Sequence, residues 1–292
     1  MVTGRNDPLV KPYLKWAGGK RQLLSDIKKY LPENINTYTY FEPFVGGGAV
    51  LFELRPQKAV INDFNSQLML TYAVIKENVE ELIDVLKEYG GKNSEKNFYE
   101  IRNLDRDKET FDRLTKVEKA ARLIYLNKTC FNGLYRVNSL GFFNVPYGKY
   151  RNPAICEEIT LRRISNYFNS NEIEILNGDF EQAVAAADKQ SFIYFDPPYH
   201  SPDNTGFTGY HADGFGEKEQ ERLRDVMITM TRRGVKCLLS NSDTDYIRGL
   251  YNCQLFDIIS VRAKRIINSD SAGRGNVNEL LVLNWKAGPD SL

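Results

Sequence analysis

Apolar runs and helix-spaced apolar positions divide the chain into three stretches. Residues 40–44 (YFEPF) read as a buried strand that runs straight into Gly46, Gly47 and Gly48. AVLFEL (49–54) suits a short helix, and KAVI (58–61) reads as a second strand ending at Asn62 and Asp63. Strand, glycine loop, helix and strand together open a parallel α/β sheet. From about 65 to 126 the spacing turns helical, with apolar residues three and four apart in LMLTYAVIK, VEELIDVLKEY and VEKAARLIYLN. Strand signals return at 172–176 (EIEIL), 191–195 (SFIYF), 236–240 (KCLLS), 254–260 (QLFDIIS) and 279–285 (ELLVLNW). A helix with a charged face, EKEQERLRDVMITMTRR, separates the second and third of these. Residues 201–216, rich in Gly, Ser, Asp and Asn, read as a mobile loop. The pattern predicts one α/β domain interrupted by a largely helical insertion.

Composition narrows the function classes. The chain has 292 residues, 42% hydrophobic and 26% charged, which is ordinary for a soluble globular protein. Its polar start lacks the apolar core of a secretory signal, and no apolar run approaches the roughly 18 residues of a membrane span, so a cytoplasmic protein is expected. Cys130, Cys156, Cys237 and Cys253 form no CxxC pair, and His200 and His211 are the only histidines. Free thiols are expected, with no metal site and no Cys–His or Ser–His nucleophile. The net charge of +1 does not announce a nucleic-acid binder, but its placement does more. From Asn127 to Pro153 stand Lys128, Arg136, Lys149 and Arg151 with no acid, among Phe131, Tyr135, Phe142, Phe143, Tyr147 and Tyr150. Bases interleaved with aromatics suit phosphate contact and base stacking. A loop-rich core segment with solvated bases fits that stretch equally well.

Four motifs carry chemistry. Asp196-Pro197-Pro198-Tyr199 follows the strand SFIYF. An amine conjugated to a nucleobase ring is a poor nucleophile, because its lone pair is delocalised. A carboxylate and a backbone carbonyl accepting its two N–H bonds localise that pair and aim it at a methyl donor. Two prolines stiffen the turn and leave the Pro197 carbonyl available, while Tyr199 offers a stacking face to an extruded base. The plainer reading is an Asp-Pro turn at a strand end. The second motif, Phe41-Glu-Pro-Phe-Val-Gly46-Gly-Gly48, lies at a strand-to-helix turn, with Asp63 17 residues after Gly46. That suits glycines approaching a cofactor and an acid on its ribose, a spacing shared with nicotinamide enzymes; no Lys-Ser or Lys-Thr makes it a P-loop. The third, Lys15-Trp16-Ala-Gly-Gly-Lys20, puts a lysine at each end of a turn, where an anion contact competes with plain packing. In the fourth, Asn177-Gly-Asp179-Phe180, the acid and aromatic suit an adenine, and a simple helix cap suits them as well.

In this order, LKWAGGK, FEPFVGGG, IND, NGDF and DPPY resemble the Dam-type DNA adenine-N6 methyltransferases, and within them the DpnII-like methylases. The resemblance runs from Lys11 to about Trp285. It implies an S-adenosylmethionine-dependent, Rossmann-like seven-stranded fold, with a catalytic domain of 1–64 and 155–292 and a mostly helical target-recognition insertion over 65–154. It places Trp16, Lys20, Phe41, Gly46, Gly48, Asp63, Asp179, Phe180 and Asp196 at the cofactor. Asp196, Pro197, Pro198 and Tyr199 would hold the target adenine. Lys15, Asn127, Phe131, Asn132, Leu134, Arg136, Asn138, Pro146 and Lys149 would contact double-stranded DNA. Among these, Phe131 matches a wedge, Arg136 a reader of guanine and Pro146 a contact to a thymine methyl, which implies a GATC target. Two positions depart from the pattern: the wedge is Phe rather than Tyr, and Tyr135 precedes Arg136. The basic segment 262–274 is expected to share in duplex binding. A separately acting restriction endonuclease is compatible with this reading, and no membrane is expected. Cytosine-N4 or RNA adenine methylation, and a non-catalytic DNA-binding protein, are the rival readings.

Overall fold

The computed structural model describes residues 10–16, 18, 20, 23–201, 215–264 and 276–286. Residues 202–214 of the expected loop and 265–274 of the basic segment 262–274 lie outside the described residues. In chain order come α1 (Leu24–Lys29), β1 (Thr39–Glu42), α2 (Ala49–Leu54), β2 (Lys58–Ile61), α3 (Ser66–Glu77) and α4 (Val79–Gly91). Next are α5 (Glu95–Asn103), α6 (Lys108–Arg113), α7 (Lys116–Thr129), α8 (Glu158–Asn169), β3 (Glu172–Ile175), α9 (Phe180–Ala183) and β4 (Ser191–Phe195). The chain closes with α10 (Glu217–Arg232), β5 (Lys236–Ser242), α11 (Asp245–Tyr251), β6 (Asp257–Lys264) and β7 (Asn276–Leu283). The strands take the order β3-β2-β1-β4-β5-β7-β6, the seven-stranded α/β sheet that was expected.

Contacts group the chain into two compact units. The sheet unit comprises 20–45, 56–62 and 178–292. In it β1 pairs parallel with β2 and β4, and β4 with β5. All five residues of β4 are buried, as befits a central parallel strand covered on both faces. β1 stops at Glu42 because Pro43 has no N–H to extend the ladder. The sheet is mixed, since β7 runs antiparallel to both β5 and β6. Leu223, Val226, Met227 and Met230 on α10 pack with Ile193, Phe195, Cys237 and Leu239 of the central strands. Fully burying such side chains is worth about 1.5–3 kcal/mol each.

The second unit comprises 1–19, 46–55 and 63–177, and is largely helical. Its axis is α7, opened by a reciprocal capping box between Thr115 and Glu118 and packed against α3, α4 and α5. Leu123, Ile124, Tyr125 and Leu126 are all buried there, so the C-terminal half of α7 is covered on every side. α3 begins where the Asn65 side chain accepts the Leu68 N–H. All four cysteines are free thiols. Among the described residues, no helix is long and apolar enough to cross a membrane.

Candidate active site and nucleic-acid interface

In the sheet unit, the turn after β4 is held by side chains from three other elements. Asp196 Oδ1 accepts from Ser240 Oγ on β5 at 2.8 Å and pairs with Lys20 Nζ at 2.8 Å. Ser240 has one hydroxyl proton and gives it to Asp196, so at its 2.9 Å contact with Ser240 the Tyr194 hydroxyl must be the donor. Among the described residues Asp196 Oδ2 has no hydrogen-bond donor. Burial raises the Asp196 carboxyl above its ordinary range, opposed by the Lys20 charge and then by the Lys20 and Ser240 hydrogen bonds. Tyr199 donates to Glu279 Oε2 on β7 at 2.6 Å, and Lys20 Nζ sits 4.1 Å from its ring centre. Gln220 Nε2 on α10 donates to the Pro198 carbonyl at 2.9 Å, and Asn241 Nδ2 in turn donates to Gln220 Oε1 at 3.0 Å. His200 is tied on both sides, its N–H to Asn241 Oδ1 and its carbonyl to Ser242 Oγ. The Pro198 carbonyl is thereby engaged, whereas the Pro197 carbonyl has no donor among the described residues.

Asp179 and Phe180 lie in the same unit. Asp179 Oδ1 accepts the Glu181 N–H as the cap of α9, and Oδ2 pairs with Arg222. Of the two local readings of Asp179, the helix cap is therefore present. Phe180 is 5% exposed, 5.2 Å from the Phe44 ring, with the Arg222 guanidinium 4.3 Å from its centre. Phe41 is core, 4% exposed and packed with the helices over the sheet. Asn62, named as a strand end but not among the expected site residues, is buried and joins two of the motifs. Its Nδ2 donates to Pro43 O and to Gly178 O, both at 3.0 Å.

In the helical unit, the glycine loop is braced from within. Gly46 and Gly48 adopt φ of 48° and 72°, the left-handed region that favours glycine. A Cβ on Gly46 would lie 3.0 Å from Trp16 Cδ1, and one on Gly47 3.1 Å from Trp16 Cβ, so the indole packs directly on the loop. Gly46 N–H donates to Asp63 Oδ2 at 3.0 Å, Asn65 N–H to Oδ1 at 2.9 Å, and Tyr72 Oη to the Gly46 carbonyl at 2.9 Å. Burial pushes the Asp63 carboxyl up to about 6 against these backbone donors. The Phe64 N–H is a third backbone donor to this carboxylate, so of its four lone-pair sites one stays open, which suits a ribose hydroxyl.

The basic, aromatic segment forms a hairpin in this unit, with antiparallel bridges Cys130–Tyr147 and Val137–Phe143. Phe131 is 52% exposed at its edge, and Arg136, Asn138, Pro146 and Lys149 are exposed as well. Arg136 Nε donates to Asn144 Oδ1 at 2.7 Å, a bond that does not use its two terminal nitrogens. Asn138 Oδ1 accepts from Leu140 and Phe142 N–H and closes the tip. Asn132 adopts a positive φ of 55° at the other end, beside half-buried Leu134. Asn127, expected to touch DNA, is fully buried: its amide is committed to Lys15 N, Lys15 O and Gly133 O. It braces exposed Lys15, whose Nζ lies 5.3 Å over the Tyr150 ring. Below the hairpin, Asp105 Oδ2 accepts the Phe143 N–H at 2.9 Å, and Arg106 donates to the Phe143 carbonyl at 2.5 Å. Asp105 also pairs with buried Arg122 at 2.8 Å.

The structure thus brings Lys20, Asp196 and Tyr199 together in one unit, and Trp16, Gly46 and Asp63 together in the other. Ser240, Gln220, Asn241, Glu279 and Arg222 carry much of the first arrangement without belonging to any spaced motif. Residues 16–267 match the model of the D12 class N6 adenine-specific DNA methyltransferases. The chain is 45% identical over 282 residues to the type II methyltransferase M1.LlaDCHI of Lactococcus lactis subsp. cremoris, covering 96% of this chain and 98% of that protein. It is 43% identical over 294 residues to the type II methyltransferase M.MjaIII of Methanocaldococcus jannaschii, covering 94% and 99%. A DNA adenine methylase of Salmonella typhi is 33% identical over 280 residues, covering 94% and 95%.

Proposed function

Because the chain belongs to the D12 class N6 adenine-specific DNA methyltransferases, we propose that it methylates N6 of an adenine swung out of duplex DNA, within GATC, using S-adenosylmethionine. The observation that carries this is the partner accounting at the D-P-P-Y turn. Asp196 Oδ1 and the Pro198 carbonyl are engaged by Lys20, Ser240 and Gln220, which leaves Asp196 Oδ2 and the Pro197 carbonyl for an amine's two N–H bonds. Both are acceptors, as an exocyclic amine requires. Tyr199, fixed through Glu279, offers its ring to the base.

The residues present suit the donor. Asp63 would take one of its ribose hydroxyls, the Gly46–Gly48 loop and Trp16 would flank it, and Lys20 would meet its carboxylate. Asp179 and Phe180 would complete the adenine end, with Arg222 releasing one Asp179 oxygen. S-adenosylmethionine supplies an already activated sulfonium methyl, so the protein contributes positioning and electrostatics. Asp196 orients the amine as a carboxylate, and the proton leaves after attack.

We assign 65–154 to target recognition and 1–64 with 155–292 to catalysis. Phe131 would wedge into the duplex. Arg136 would read guanine O6 and N7 through its terminal nitrogens, a fork worth about 1–3 kcal/mol against a wrong base. Lys15, Asn132, Leu134, Asn138, Pro146 and Lys149 would share the contact surface, with Asn127 acting through Lys15. The type II methyltransferases at 45% and 43% identity suggest the modification half of a restriction system, with an endonuclease acting separately. Relatives from bacteria and an archaeon make the cytoplasm the expected compartment. Methylating a GATC duplex with labelled donor and identifying the nucleoside by mass spectrometry tests the reading. N6-methyladenine confined to GATC supports it; N4-methylcytosine, or label spread over all sequences, refutes it.

A further inference from the structure

We propose that Tyr135 is a positioning residue joining the glycine loop to the reading hairpin, so that cofactor occupancy and target discrimination reinforce each other. This deepens the function proposed above and rests on its assignment of the hairpin to DNA and of the glycine loop to the cofactor. Tyr135 is 5% exposed although it adjoins exposed Arg136. Its ring lies on Trp16 at 5.0 Å with planes 26° apart, and meets Phe143 edge-on at 5.9 Å. Its hydroxyl meets the side chain of Asn65, whose backbone N–H holds Asp63 Oδ1. One buried ring therefore touches residues from both surfaces.

Each neighbour is itself fixed. Trp16 packs on Gly46 and Gly47 so tightly that a Cβ on either would crowd it. Phe143 is held at both its N–H and its carbonyl, by Asp105 and Arg106. Across the hairpin, Asn144 donates its N–H to the Arg136 carbonyl and accepts from Arg136 Nε. A close-packed column of this kind passes displacement on rather than absorbing it. A ligand that settles Trp16 settles Tyr135, and with it the peptide that carries Arg136. Coupling between binding sites is reciprocal, so a correctly read duplex must tighten the cofactor site by the same factor.

The test uses the whole chain and S-adenosylhomocysteine as an inert probe. Its affinity is measured by calorimetry with saturating GATC duplex, and with a duplex changed at one base pair of the site. In the wild type the first affinity exceeds the second by at least about fivefold. Tyr135→Ala brings that ratio to within about twofold of one, while affinity without DNA stays within about threefold of wild type. Tyr135→Phe keeps the stack, loses the hydroxyl and lowers the ratio about two- to threefold; it carries the test should the alanine protein fail to fold. A wild-type ratio near one, or folded variants that keep the wild-type ratio, overturns the proposal. Arg136→Ala separates the two levels. If that variant still distinguishes the duplexes, the hairpin is not the reader. If it loses discrimination while Tyr135 variants keep the ratio, only the role of Tyr135 fails.

Discussion

The D-P-P-Y turn and the 130–147 hairpin are both assigned to DNA, yet they are held in opposite ways. The turn is gripped by buried or part-buried side chains from β5, β7 and α10, and most of its polar atoms are satisfied before any substrate arrives. The hairpin keeps its working side chains in solvent and is secured close to its tip, by Asp105 and Arg106 on Phe143. Methyl transfer needs a lone pair aimed within a few tenths of an ångström, which only a rigid, preorganised acceptor pair provides. Reading a groove needs reach, so local bonds such as Arg136–Asn144 suffice to present the fork.

That contrast can be broken from either side. The largest effect belongs to Asp196→Ala, which should lower the single-turnover methylation rate by at least about 10³-fold with the fold intact by circular dichroism. Next, Asp105→Ala leaves Arg122 buried and unpaired and frees the Phe143 N–H. We expect a loss of roughly 3–5 kcal/mol in denaturant unfolding. Arg136→Ala should cost about 1–3 kcal/mol of discrimination between GATC and altered duplexes, with cofactor affinity in the absence of DNA unchanged. Ser240→Ala removes a hydrogen bond that opposes the raised carboxyl of Asp196. The acidic limb of the rate profile should move to higher pH, with about a tenfold loss at neutrality. A uniform loss at every pH would instead mark Ser240 as packing alone.

The smallest effect is on stability. The Asp63 carboxyl stands at about 6 in the folded chain, above its ordinary value of about 4. The folded state therefore binds more protons than the unfolded one between those values, and stability falls as pH rises through that window. Asp63→Asn should flatten the pH dependence of unfolding there.

The fold was largely legible from residues. KAVI and SFIYF coincide with β2 and β4, because short apolar runs bounded by polar residues leave little choice of ends. β6 starts three residues later than QLFDIIS suggested, at Asp257, and β7 begins upstream of its apolar core, at Asn276. Pairing along an antiparallel ladder, rather than hydrophobicity, sets those ends. Within the candidate site, the motif residues stood out as an ordered set, since each motif alone had a plainer reading. Ser240, Gln220 and Glu279 did not, since a serine, a glutamine and a glutamate on a strand or helix look like any others until the sheet order brings them to the turn. Asn127 was placed at DNA by resemblance alone; resemblance does not show which way a side chain faces, and its amide satisfies the backbone of Lys15 and Gly133.

The most direct measurement is a crystal structure of the protein with S-adenosylhomocysteine and a duplex carrying the target adenine. We expect the adenine outside the helix, its N6 within about 3.2 Å of both Asp196 Oδ2 and the Pro197 carbonyl. An adenine still stacked in the duplex, or an N6 bonded elsewhere with Asp196 turned away, would contradict that assignment.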